Sequence, residues 1–282
     1  MTRFEKSIVA IIAVSVVSGF IISNQSNEHS QVEQPEIKQP SSSVVEAVPV
    51  APTDAKPANK VTEKPRQIAP NKRKFYRSLL PFIEAENSRI SSLRTDLATI
   101  QNELLAENEL SQEQQNQLLT LSKAYRVSTK KGAVVGLPEV KALLIKVDQI
   151  PASLVLSQSA NESAWGRSRF AKEANNYFGI WCFKPGCGLV PTGRPKNAKY
   201  EVTLYPSVEL SVRAYFNNIN SHPAYSQLRA IRSEQRKQSQ PLTGTALAGG
   251  LKHYSARGEA YIEELRAMIR YNQLEGITLQ SL

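Results

Sequence analysis

Cysteine is nearly absent from this sequence: two residues in 282 cannot staple a fold, so a small disulfide scaffold is excluded. Histidine is scarce as well. The imidazoles of His29, His222 and His253 lie too far apart to give a metal-ligand spacing, so no metal and no other cofactor is expected. Long charge-free apolar runs are missing except at the N-terminus, which excludes a multi-span membrane protein. Acid is outnumbered: 25 Asp and Glu face 35 Lys and Arg, a formal charge of +10. The excess of base favours a polyanionic partner, which nucleic acid, anionic lipid and an acidic cell-envelope polymer would all satisfy. At 31.3 kDa and 41% hydrophobic residues the chain is long enough for one or two packed domains with tails.

Arg3 and Lys6 precede an uncharged run from Ser7 to Ser23, and polar, acidic sequence follows it. Residues 1–23 therefore read as a signal peptide or membrane anchor, with a buried N-terminal helix as the plainer alternative. Base ahead of the run and none just after it keeps the N-terminus cytoplasmic and sends the rest across the membrane, which the run contacts or spans. Residues 24–71 hold seven prolines and no aromatic side chain. Such a stretch cannot bury enough apolar surface to fold, and it reads as a disordered tether with a reach on the order of 100 Å.

Across 72–130 apolar residues recur at helical spacing, among them Phe75, Leu79, Leu80, Ile83, Ile90, Leu93, Leu97, Ile100 and Leu104. They predict two or three amphipathic helices whose role is packing or positioning; a coiled-coil partner site is the alternative, but heptads do not persist. Ser111 with Gln114 in its wake marks a helix start. Residues 131–282 open with a helix near Leu137–Val147, and Pro151 begins another. That second helix carries small and apolar residues suited to a core, and near its end it carries Glu162, the one acid between Asp148 and Glu173. A carboxyl group against apolar surface has its pKa raised, as a general acid working near neutral pH requires. The plainer alternative is a Glu that reaches solvent or pairs with Arg167 or Arg169.

The run from Asn161 to Gly188, NESAWGRSRFAKEANNYFGIWCFKPGCG, resembles the glucosaminidase family of peptidoglycan hydrolases. The family signature is a Glu, a Ser, any residue and a Trp-Gly pair, then Asn-Asn-aromatic-Phe-Gly. VTLYPSVELSVRAYF from Val202 and HYSARGEAYIEELRAMI from His253 are similar to it too, and the resemblance covers about Phe75 to Asn272. It implies a mainly α (α+β) fold, a lysozyme-like glucosaminidase domain with a small β-hairpin, occupying 131–282. It implies that Glu162 donates a proton to the glycosidic oxygen joining N-acetylglucosamine to N-acetylmuramic acid. Peptidoglycan glycan strands become the expected partner. The expected location is the cell envelope, anchored at the periplasmic face of the inner membrane or secreted into the periplasm.

Glycosidic cleavage needs a second element, and no Asp follows Asp148. By analogy Glu201 is the expected second catalytic carboxylate, although it lies immediately before the returning strand instead of out in the loop. A solvated Glu201 paired with Lys199 or Arg194 is the alternative, and attack by the substrate's acetamido group or by a tyrosine-held water stays open. The resemblance puts Tyr254 near the scissile bond and Tyr177, Trp165, Tyr205 and Tyr261 at the substrate. Phe178 and Trp181 are expected to be packed, and Asn175 and Asn176 to tie a turn to backbone groups. Cys182 and Cys187 enclose Phe-Lys-Pro-Gly, and export makes a disulfide the expected state over free thiols. From Pro151 to Leu282 there are 16 Lys and Arg against 9 Glu, a positive field suited to acidic stem peptides, whereas nucleic acid lacks a binding motif and contradicts export. The expectation is an endo-β-N-acetylglucosaminidase. Its rivals are a non-catalytic peptidoglycan-binding module and a muramidase or lytic transglycosylase; the oligomeric state is not legible.

Overall fold

The computed structural model describes residues 68–282 except 131 and 133. The expected anchor, and all but the end of the expected tether, lie outside the described residues. Among the described residues no helix is long and apolar enough to cross a membrane.

Helix α1 (Pro70–Leu105) starts on a proline, whose missing N–H costs nothing in the first turn. Phe75, Tyr76, Leu79, Leu80, Ile83, Ile90, Leu97 and Ile100 are buried along one face of it. Pro81 does not end the helix, because it lies on the exposed side, where water reaches the carbonyl its ring leaves unpaired. Two helices, not three, thus occupy the stretch before Val127. The second, α2 (Gln112–Ala124), begins at Ser111, which accepts the Gln114 amide while the Gln114 side chain accepts the Ser111 amide.

Helix α3 (Leu137–Lys146) runs into a polar knot. The fully buried Arg232 donates to the carbonyls of Ile145, Lys146, Asp148 and Gln149 and to Oδ1 of Asn220. Asp148, also buried, accepts from Arg236 at 2.8 Å and faces Arg94 and Arg232 at 3.7 Å each. Those charges hold its carboxyl below the usual range against the opposing effect of burial. The end of α3 is thereby fixed just ahead of α4 (Ala152–Glu162).

Every residue of α4 from Ser153 to Ala160 is buried. Its neighbours are α1, α8 (Gly244–Ala248) and α9 (Glu259–Tyr271). Gly244 permits the close approach of α8, since a Cβ there would stand 2.3 Å from Oγ of Ser153 and 2.7 Å from the Leu154 nitrogen. The remaining helices are α5 (Arg169–Ala174), α6 (Val208–Ser221) and α7 (Ser226–Lys237), with a 3-10 turn at Pro223–Tyr225. One hydrophobic core takes residues from α1 to α4 and from α6 to α9.

The β structure is a three-stranded antiparallel sheet, wider than the expected hairpin. Its strands β1 (Trp181–Cys182), β2 (Gly188–Leu189) and β3 (Glu201–Thr203) lie in the order β1-β3-β2. The register sets Trp181 opposite Val202, and Cys182 opposite Glu201. The fold is mainly α with this small sheet at one side.

Candidate active site

Glu162 is the last residue of α4, so a helix packed on nearly all sides delivers a half-buried carboxyl to its own end. The chain then reverses through three consecutive left-handed residues, Ala164, Trp165 and Gly166. Ser163 ties the turn down, donating to the Ser159 carbonyl at 2.6 Å and accepting the Gly166 amide at 2.8 Å. At Gly166 a Cβ would meet the rings of Phe75 and Tyr177 at 3.4 Å, on a backbone that L side chains rarely adopt. The reversal lays Trp165 against Phe75 and Tyr76, with Lys72 Nζ over its ring at 4.7 Å.

Neither Arg167 nor Arg169 holds Glu162: Arg167 donates to the Ala164 carbonyl, and Arg169 to the Val190 carbonyl. Its partner is Tyr261 of α9, whose hydroxyl donates to Oε1 at 2.9 Å. Burial raises the carboxyl pKa above the usual range, opposed by the Tyr261 hydrogen bond and by the charge of Arg257. The net direction is that of a carboxyl that holds its proton above the usual carboxylate range.

The Asn-Asn pair builds the opposite wall. Asn175 closes α5 in the left-handed conformation and donates to the Tyr205 carbonyl at 2.9 Å. The buried Asn176 donates to the carbonyls of Ile180 and Thr203 and accepts the Ile180 amide. Both serve the turn, as their type suggests. The turn carries Gly179 to within reach of the acid: a Cβ there would stand 3.5 Å from Oε2 of Glu162. Tyr254 fixes the same turn by donating to the Phe178 carbonyl at 2.8 Å, and its ring lies parallel to that of Tyr261 at 5.6 Å.

Glu201 takes its hydrogen bonds from the disulfide turn. Its side chain is only 6% exposed, and its two oxygens accept the amides of Gly186 at 3.0 Å and Gly188 at 2.8 Å. Those hydrogen bonds hold its pKa below the usual carboxylate range. The turn it binds is the one closed by the Cys182–Cys187 disulfide, with a Cα separation of 6.3 Å. Cys182, Cys187 and Glu201 form the one grouping of metal-ligand types among the described residues. Both sulfurs are spent on each other, so the set does not suit a metal.

Of the expected substrate residues, Tyr261 is fully buried and takes its place behind Glu162. Trp165 and Tyr177 are half-buried and meet at Phe75, 5.7 and 6.3 Å away between ring centroids. Tyr205 is half-buried, its pKa pushed up to about 12 by desolvation. Phe178 is packed as expected, stacked on Tyr215. Trp181 is not: it lies on the edge strand β1, is 52% exposed, and stacks on Tyr200. Phe183, just past the end of β1, is 71% exposed. Sequence reasoning missed Gln158, Gly179 and Tyr200. Gly179 stands in the Phe-Gly of the motif and was the one with a visible signal.

The comparisons with known proteins meet this geometry. A family model, glucosaminidase, described as mannosyl-glycoprotein endo-beta-N-acetylglucosaminidase, matches residues 138–274, which run from α3 through α9 and include every residue named around Glu162 except those of α1. Protein bax of Escherichia coli (strain K12) is 37% identical over 204 residues, covering 72% of this chain and 70% of its own length. The chain belongs to the glucosaminidase family. No solved structure matches it. Membership of the glucosaminidase family supports a peptidoglycan-related glycoside hydrolase and a place in the cell envelope.

Proposed function

We propose that this protein cleaves the β-1,4 bonds of peptidoglycan glycan strands as an endo-β-N-acetylglucosaminidase, with Glu162 as the general acid. The observation that carries the reading is the carboxyl of Glu162, raised in pKa by burial, bound at Oε1 by Tyr261 and flanked at Oε2 by a glycine. A neutral carboxyl in that position delivers its proton to a glycosidic oxygen as the bond to C1 breaks. Glu201 has both oxygens on turn amides, so we assign it to holding the disulfide loop. Attack on C1 then falls to the substrate's acetamido group, or to a water accepted near Tyr254, whose own hydrogen is spent on the Phe178 carbonyl. Tyr177 and Tyr205 belong to the groove wall in this reading, and Trp165 buttresses it against Phe75 and Tyr76 of α1.

The basic sheet region, with Lys184, Lys196 and Lys199 exposed, draws a polymer whose stem peptides carry carboxylates. Residues 1–23 serve as signal or inner-membrane anchor and 24–71 as the tether. Residues 72–130 support the domain formed by 131–282.

Digestion of purified peptidoglycan with the wild type and with Glu162→Gln, followed by mass analysis of the ends, tests the reading. New N-acetylglucosamine reducing ends from the wild type, reduced roughly 10²–10⁴-fold in a folded Glu162→Gln protein, are the expected result. N-acetylmuramic acid reducing ends would make it a muramidase, anhydro ends a lytic transglycosylase, and binding without products a non-catalytic module.

A further inference from the structure

Three hydrogen bonds run in series behind Glu162. The Tyr215 hydroxyl donates to Oε1 of Gln158 at 2.5 Å, Nε2 of Gln158 donates to the Tyr261 hydroxyl at 3.0 Å, and that hydroxyl donates to Oε1 of Glu162 at 2.9 Å. Gln158, Tyr215 and Tyr261 are fully buried and come from α4, α6 and α9. Gln158 stands one turn before Glu162 on the same helix face.

The amide gives this series a direction. A carboxamide has one end that only accepts and one that only donates. With Oε1 of Gln158 receiving the Tyr215 hydrogen, Nε2 is committed to the Tyr261 oxygen. Tyr261 has a single hydrogen, and its one remaining partner is Glu162. Oε1 of Glu162 is therefore an acceptor whether the carboxyl is neutral or ionised. The acid proton is left to Oε2, the oxygen beside the exposed Gly179, which has no side chain of its own.

We propose that Gln158 is a positioning residue of the reaction: by setting the polarity of Tyr261 it keeps the acid proton on Oε2 of Glu162, the oxygen that faces past Gly179. The proposal rests on the reading of Glu162 as general acid. In the step it serves, the proton passes from Oε2 to the glycosidic oxygen as the C1–O bond breaks and its electron pair stays on that oxygen. Water then supplies a hydroxyl to C1 and returns a proton to Glu162. Throughout, Tyr261 donates to Oε1 and supports the charge left on the carboxylate.

The groups facing Glu162 are Tyr261 and Glu264 of α9, Arg257 ahead of it, Tyr254 of the preceding loop, Tyr215 of α6 and Tyr225 of the 3-10 turn. Burial raises the pKa of all four tyrosines, so none of them ionises before the acid does. Arg257 and the Tyr261 hydrogen bond favour the ionised carboxylate, while Glu264 opposes it.

Gln158→Met keeps the length of the side chain and removes both polar ends. Tyr261 is then able to accept from Glu162 as well as donate, which favours the neutral acid and scatters its proton over both oxygens. On purified sacculi kcat should fall about tenfold, the worth of one buried hydrogen bond, with KM unchanged and the basic limb of the pH–rate profile moved upward. Tyr261→Phe should move that limb in the same direction, and adding Gln158→Met to it should move the limb no further. Tyr215→Phe, which releases the Gln158 amide to rotate, carries the same test should Gln158→Met not fold. An unmoved limb in a folded Gln158→Met, Tyr215→Phe or Tyr261→Phe protein overturns the proposal. So does a Gln158→Met shift that persists in full without the Tyr261 hydroxyl. Hydrolysis that survives Glu162→Gln overturns the general-acid reading instead, so the two failures are told apart.

Discussion

The rings of Trp181 and Tyr200 lie face to face, with centroids 4.2 Å apart and planes 7° from parallel, and Trp181 is half exposed. The register explains the pairing: Trp181 is opposite Val202, and Tyr200 is two residues from Val202 on the same sheet face. Strand β1 starts two residues after Gly179, where a Cβ would stand 3.5 Å from Oε2 of Glu162. A flat, open ring there suits a sugar face.

Trp181→Ala should therefore raise KM on peptidoglycan about fivefold, the worth of roughly 1 kcal/mol of ring contact. Its kcat and melting temperature should change little. A steady-state comparison of the two proteins decides it, and an unchanged KM would remove Trp181 from the substrate path.

Removing the acid should stabilise the fold. The pKa of Glu162 is higher in the folded protein than in the unfolded chain, so its contribution to stability is fullest below the unfolded value, about 4.3, and is lost as pH rises through the folded value. Glu162→Gln should melt above the wild type at neutral and alkaline pH, with the gap closing toward acid. Thermal melts from pH 4 to pH 8 check this, and a gap of the opposite sign would mean that the carboxylate is welcome where it sits.

Glu201 has the reverse sign. Its folded pKa is depressed by the Gly186 and Gly188 amides, so its contribution is present above the unfolded carboxylate value and fades as pH falls through the folded one. Glu201→Gln should melt below the wild type at neutral pH and match it in strong acid, while retaining measurable hydrolysis. Loss of hydrolysis as complete as in Glu162→Gln would return Glu201 to the chemistry.

The disulfide between Cys182 and Cys187 closes a short turn, so its reduction should cost at most roughly 2 kcal/mol of stability. Hydrogen exchange at the Gly186 and Gly188 amides should speed up in the reduced protein, since the turn that aims them at Glu201 is loosened. Unchanged exchange at both amides would show that Glu201 alone shapes the turn.

What could be read in advance was local. The Ser111 cap, the Cys-Phe-Lys-Pro-Gly-Cys turn and the acid before Trp-Gly are each decided by residues a few positions apart. Whether two or three helices precede Val127 stayed open, because a sequence does not show that the ring of Pro81 faces water. Trp181 was expected to be packed for a similar reason: exposure depends on which strand lies at the sheet edge, and β3 is placed between β1 and β2 by the returning chain. The link from Gln158 to Tyr261 spans 103 residues. No periodicity within α4 distinguishes a glutamine that steers a phenol from one that fills a core.

Lys72, near the start of α1, donates to Oδ1 of Asn272 at 3.1 Å and lies over the Tyr271 ring at 5.2 Å, both just beyond or at the end of α9. Two hundred positions separate the two ends of that hydrogen bond. During synthesis α1 leaves the ribosome ahead of α3, α4 and α6, the helices it packs on, and Asn272, the partner of its Lys72, follows 200 residues later. At a few to some twenty residues per second, on the order of ten seconds or more pass between them. The bond that ties the start of α1 to the end of α9 is thus a long-range closure, made only after α3, α4 and α6 have already covered the apolar face of α1.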